Sequence, residues 1–122
     1  MYFIVFTNNF PTSTTEVTTF LLDRIRSSKD TNTVFFFVGE KASAFSDALH
    51  AEMPTLSDGQ LFNYEKWSIK DGLDQCMSTI ELYWTGKDVC LVCSQEDYTE
   101  VKKVFENFQT NFPGYTANKV AL

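Results

Sequence analysis

No G-x-G-x-x-G follows the first apolar run of this sequence, and no G-x-x-x-x-G-K-S/T occurs anywhere, so nothing marks a nucleotide cradle. A G-x-S-x-G elbow is absent, and with a single histidine, His50, the composition argues against a Ser-His-Asp triad. His50 lies near the end of a short helical pattern with no second ligand beside it, and reads as a surface or capping residue. Basic residues are few: ten Lys and Arg stand against sixteen Asp and Glu, a formal net charge of −6. That balance argues against direct binding to nucleic acid or to anionic membranes, where phosphate contacts need Lys and Arg. Cysteine is limited to three residues, an odd number with no spacing for a four-ligand zinc site, so no metal and no cofactor are expected. Cys90 and Cys93 form a C-x-x-C, but a strand would point them to opposite faces, unlike a redox pair at a helix start. Unpaired thiols suit a reducing compartment. The opening Met1–Thr7 lacks a basic leader and is too short to span a bilayer, so a cytoplasmic protein is expected.

What is present is a filled interior. Of the 122 residues, 43% are hydrophobic and twelve are Phe, enough for one domain over residues 1–122 with a core of its own. Tyr2 to Phe6 is apolar on every residue, Thr33 to Val38 repeats the pattern after its opening threonine, and both are too short for helices, which predicts central strands covered on both faces. Between them, Val17, Phe20, Leu21 and Ile25 recur at helical spacing, behind a Ser13-x-x-Glu16 capping box and before a turn at Lys29–Asn32. A short helix is expected from Lys41 to about His50. A loop follows, and then Leu61–Tyr64 as an optional edge strand. Ser68-x-x-Asp71 opens a helix whose buried stripe is Ile69, Leu73, Cys76, Met77, Ile80 and Trp84, with Gly86 as its stop. Val89 to Cys93 is a further buried strand. Tyr98, Val101, Phe105, Phe108 and Phe112 mark the last helix, and Thr116 to Leu122 the last strand. Strands alternating with helices predict an α/β fold, a mostly parallel sheet of four to five strands sandwiched between helices. No internal repeat, linker or low-complexity segment interrupts it.

The stretch with chemical potential is Val89 to Tyr98. Cys93 ends a strand, and Ser94-x-x-Asp97 reads as a helix start immediately after it. Open α/β sheets place their sites at the carboxyl ends of the strands, and a helix amino terminus favours thiolate over thiol. Cys93 is therefore the candidate catalytic residue, whereas Cys76 belongs to a core stripe. The loop after the first strand should share that rim, with the Gly39 loop close by. Its Asn9, Thr12 and Ser13 are candidate binding residues around the sulfur, although Ser13 also suits a simple helix cap.

The order of elements resembles the DsrE/TusD family of small sulfur-carrier subunits. The resemblance rests on the opening Tyr2-Phe3-Ile4-Val5-Phe6-Thr7 with its Pro- and Ser/Thr-containing loop, and on Val34-Phe35-Phe36-Phe37 before Gly39. It continues through the turn at Gly86, the strand ending in Cys93, and the ending Ala117-Asn118-Lys119-Val120. It implies a persulfide relay in which Cys93 takes sulfane sulfur from a donor protein and hands it to an acceptor, and it implies assembly into homo- or hetero-oligomers. This sequence departs from that pattern where Glu96 and Asp97 follow the cysteine, since carboxylates oppose a thiolate. The alternative is a non-catalytic acidic protein on the same fold that docks on, regulates or inhibits a basic protein partner. The unbroken stripe from Tyr98 to Phe112 adds a physical reason to expect an oligomer.

Overall fold

The computed structural model describes residues 1–10, 14–27 and 33–122. Along the chain run β1 (Tyr2–Phe6), α1 (Thr14–Ser27), β2 (Val34–Val38), α2 (Ala42–Glu52), β3 (Leu61–Tyr64), α3 (Ile69–Tyr83), β4 (Asp88–Cys93), α4 (Tyr98–Asn111) and β5 (Thr116–Ala121), with one 3-10 turn over Asp58–Gln60. The Ser13 capping box and the Lys29–Asn32 turn lie outside the described residues. All five strands pair in parallel, in the order β3-β2-β1-β4-β5. Leu61–Tyr64 is thus a true edge strand, paired with β2 from Phe35–Leu61 to Val38–Tyr64.

Each crossover returns the chain to a parallel strand, so the helices fall on two faces. The alternation of side chains along the strands divides the core accordingly. Ile4, Phe6, Phe36, Leu91 and Cys93 pack with Leu73, Met77, Val101 and Phe105 of α3 and α4. Phe3, Val5, Phe35, Phe37, Cys90 and Val92 pack with Val17, Leu21, Phe45 and Leu49 of α1 and α2. Cys90 and Cys93 therefore do face opposite layers, and Cys76 is fully buried in the α3 stripe. At the sheet centre β1 and β2 are buried at every residue. Their rings stack directly, Phe3 on Phe35 with centroids 5.3 Å apart. The α4 stripe divides along its length: Val101 and Phe105 are sealed, whereas Phe112 is 41% exposed.

Two helix boundaries differ from their sequence signals. Ser68 caps α3 as expected, its hydroxyl accepting the Asp71 N–H at 3.1 Å. The helix, however, ends at Tyr83, where Trp84 turns extended (φ −135°, ψ 164°), before Gly86 is reached. Gly86 serves close approach instead: its N–H donates to Tyr2 Oη at 3.1 Å, and a Cβ there would lie 2.6 Å from that oxygen. The second difference is at α4, which starts at Tyr98 and not beside Cys93. Ser94–Asp97 form a separate turn, in which the Asp97 N–H meets both the carbonyl and the hydroxyl of Ser94 at 3.2 Å. Among the described residues no helix is long and apolar enough to cross a membrane.

Candidate functional site at the carboxyl rim

The chain works outward from β1 through β2 to β3, then crosses back to β4 on the other side of β1. The loops after β1 and β4 therefore diverge at a topological switch point, the place where open α/β sheets receive ligands. Here the two loops are tied together. Asn9, in the β1 loop, donates from Nδ2 to Asp97 Oδ1 at 2.8 Å, across 88 residues of sequence. The β2 loop joins the same rim. Thr7 Oγ1 donates to the Val38 carbonyl at 2.9 Å and accepts the Lys41 N–H at 3.2 Å. Asn8 Oδ1 accepts the Glu40 N–H at 2.7 Å. Gly39 makes that approach possible, since its φ of +115° suits glycine and a Cβ would stand 2.4 Å from Asn8 Oδ1.

Cys93 lies beneath this rim but does not open onto it. The residue is 0% exposed and packs in the layer that holds Val101 and Phe105. Its thiol points toward the neighbouring strand, 3.8 Å from the Val120 carbonyl. Burial, and then the charge of Asp97, push the thiol up to about 11. The helix-end assistance read from the sequence does not reach it, because the Ser94–Asp97 turn separates the sulfur from the first turn of α4 and brings a carboxylate with it. The other thiols are also raised by burial, Cys76 strongly and Cys90 less.

Asn9 is exposed and occupied with Asp97, so it braces the rim and does not line a pocket around the sulfur. Thr12 and Ser13 lie outside the described residues. Asp97, which the sequence offers only as a helix-start residue and a brake on the thiolate, is a buried side chain of the rim. It is 5% exposed, stands at the amino cap of α4 without capping it, and leaves Oδ2 buried with no hydrogen-bond partner. Only the parallel order of the strands, which gathers the β1 and β4 loops at one end, hints from sequence at its meeting with Asn9. Among the described residues no three His, Cys, Asp or Glu side chains converge to hold a metal ion.

Acidic residues dominate the rim. Glu40, Glu65, Glu96 and Asp97 lie in the loops that follow β2, β3 and β4, and Asp71 and Glu100 stand in the first turns of α3 and α4, against Lys41, Lys66 and Lys70. Glu65 is held in place by the N–H and hydroxyl of Ser43, which also lower its carboxyl below the usual range. Comparison with family profiles, with curated proteins and with solved structures finds no match to this chain.

Proposed function

We propose that this is a non-catalytic binding protein that presents its acidic carboxyl rim to a basic protein partner. The observation that carries the reading is the sealed thiol of Cys93. With the thiol pushed up to about 11, only about one molecule in ten thousand would carry a thiolate at neutral pH. A relay needs that thiolate at the surface. The rim above it offers carboxylates held by backbone and side-chain donors, a surface suited to steering and registering Lys- or Arg-bearing partners. Three free, buried thiols suit a reducing cytoplasmic setting. Self-association belongs to the same proposal, supported by the exposed Leu82 (73%) and Phe112 (41%), and a monomer by light scattering at high micromolar concentration would count against it.

The test is titration with an octalysine peptide, followed by backbone amide resonances. Salt-sensitive shifts at Glu40, Glu65, Glu96 and Glu100 are expected, weakened in a Glu40→Gln, Glu65→Gln, Glu96→Gln variant. A second reading, the sulfur relay, draws support from one fact: Cys93 ends its strand on the rim that bears Asn9. Incubation with glutathione persulfide and intact-mass analysis separates the two. A persulfide forming rapidly on Cys93 of the folded protein would replace the docking reading with the relay.

A further inference from the structure

The sheet has two open edges, β3 and β5, and they differ. β5 carries Lys119, and a lysine on an edge strand discourages pairing with another chain. β3, Leu61–Tyr64, holds no charged residue and no proline. One bond settles which of its backbone groups face outward. The Tyr64 carbonyl accepts the Gly39 N–H at 3.0 Å, so Tyr64, and Phe62 by alternation, turn N–H and C=O toward β2. Asn63 and Glu65 turn theirs away from the sheet, as Leu61 does its carbonyl. Among the described residues nothing pairs with the Asn63 backbone, and the residue is exposed. On the α3 face an aromatic row follows this edge: Phe62 stacks on Phe36 at 5.1 Å, and Trp67, 40% exposed, meets Tyr64 at 5.7 Å.

We propose that β3 pairs with β3 of a second copy, antiparallel about a twofold axis at Asn63, joining the two sheets into one. The inference goes beyond the basic-partner reading and names the surface for the self-association expected above. The free groups set the register. Asn63 opposite Asn63 exchanges both N–H···O=C bonds, and each Glu65 N–H then meets the Leu61 carbonyl of the second copy. Phe62 falls opposite Tyr64 of the second copy, in the non-bonded type of pair whose side chains stand closest, and aromatic cross-strand pairs stabilise sheets. Lys66, with φ 60°, ends the strand and limits the pairing to this length.

Charge fits the same arrangement. Ser43 of α2 holds Glu65, and Asp47 and His50 follow Ser43 on one exposed helix face at steps of four and three. With a helix rise of about 1.5 Å against about 3.3 Å for a strand, His50 stands roughly level with Leu61 and Asp47 with Asn63. The twofold therefore carries Glu65 of each copy to His50 of the other, carboxylate to imidazole. Asp47 faces its own counterpart near the axis, so the pairing is opposed at low salt and strengthened as salt rises, the reverse of docking by octalysine. So short an edge buries less than the roughly 800 Å² per partner of a standard interface, which sets a weak dimer, with a dissociation constant of about 100 μM.

Amide hydrogen exchange at about 10 μM and about 1 mM tests the register. The Asn63 and Glu65 amides should slow about fourfold at the higher concentration, while Phe62 and Tyr64, bonded to β2 throughout, stay unchanged. Asp47→Asn should tighten the dimer. Asn63→Pro deletes an outward donor and no bond to β2, a placement that edge strands accept, and should abolish the dimer with the fold intact. If that variant does not fold, Asn63→Cys decides: mild oxidation should link position 63 to its counterpart, since Cα atoms in such a pair lie about 5.5 Å apart and the native thiols are buried. A dimer whose Asn63 amide stays unprotected would overturn this inference and keep self-association. A monomer at about 1 mM would overturn both. Octalysine slowing the Asn63 amide of the dilute protein would assign the edge to the basic partner and overturn the second copy as its occupant.

Discussion

Gly72 of α3 sits against Val38 of β2 so closely that a Cβ at position 72 would lie 2.3 Å from Val38 Cγ1. Helix and sheet are locked at a spacing that admits no methyl group. Gly72→Ala should therefore destabilise the fold by about 1–3 kcal/mol through overpacking, outweighing the roughly 1 kcal/mol that alanine gains in a helix. Urea unfolding measures it. In the Val38→Ala background the same change should cost much less, and an equal cost there would refute the contact as the cause.

The Asn9–Asp97 bond joins the β1 and β4 loops at the sheet centre. Asn9→Ala leaves Asp97 with both oxygens unmatched and should cost about 1–3 kcal/mol. Removing both partners together should cost less than the sum of the single changes, because the stranded carboxylate disappears with its donor. Additive losses in a double-mutant cycle would mean that the bond contributes nothing.

Alkaline pH should weaken the fold. Unfolded thiols ionise near their ordinary value of about 8.5, whereas Cys93 in the fold is pushed up to about 11, and Cys76 and Cys90 are raised as well. From about pH 8.5 to 11 the unfolded chain releases protons that the folded chain keeps, so stability falls as pH rises and is fully retained below that window. The urea midpoint should drop between pH 7 and pH 10, and Cys93→Ala should make the drop smaller. An unchanged slope in that variant would remove Cys93 from the account.

Glu81 of α3 marks the opposite end of the sheet. Tyr115 Oη donates to its Oε1 at 2.5 Å, and Lys87 Nζ lies 3.0 Å from the same atom. Both lower the Glu81 carboxyl, the tyrosine hydroxyl first. Tyr115→Phe should raise the Glu81 titration midpoint toward the ordinary value, and Lys87→Met should raise it less. Because a depressed carboxyl stabilises above its unfolded midpoint and loses that contribution as pH falls, Tyr115→Phe should also reduce acid sensitivity below about pH 4.5. Carboxyl-carbon NMR through the acid range reads both shifts.

The thiols offer a check on opening motions. Cys76, Cys90 and Cys93 are all buried, so iodoacetamide should label each roughly a hundredfold or more slowly in the native protein than in urea. Fast native labelling confined to Cys93 would show that α4 lifts readily from the sheet.

The layering was written in the chain. Unbroken apolar runs such as Tyr2–Phe6 and Val34–Val38 are best accommodated as strands covered on both faces, and the helical stripes between them supply the covers. Period-two alternation likewise put Cys90 and Cys93 on opposite faces, because side-chain direction along a strand is a local property. Local pattern also brought Cys93 to a strand end, and there it stopped being informative. The sulfur's exposure depended on the distant α4 residues Val101 and Phe105 packed in its layer, and its acidity on where Asp97 turned. Ser94-x-x-Asp97 carries the same capping signal whether it opens a helix or, as here, a separate turn, since both satisfy the same N–H. The meeting of Asn9 with Asp97 belongs wholly to the tertiary structure. Sequence fixes what each residue can donate or accept, but only strand order brings a donor and an acceptor 88 residues apart to within hydrogen-bonding distance.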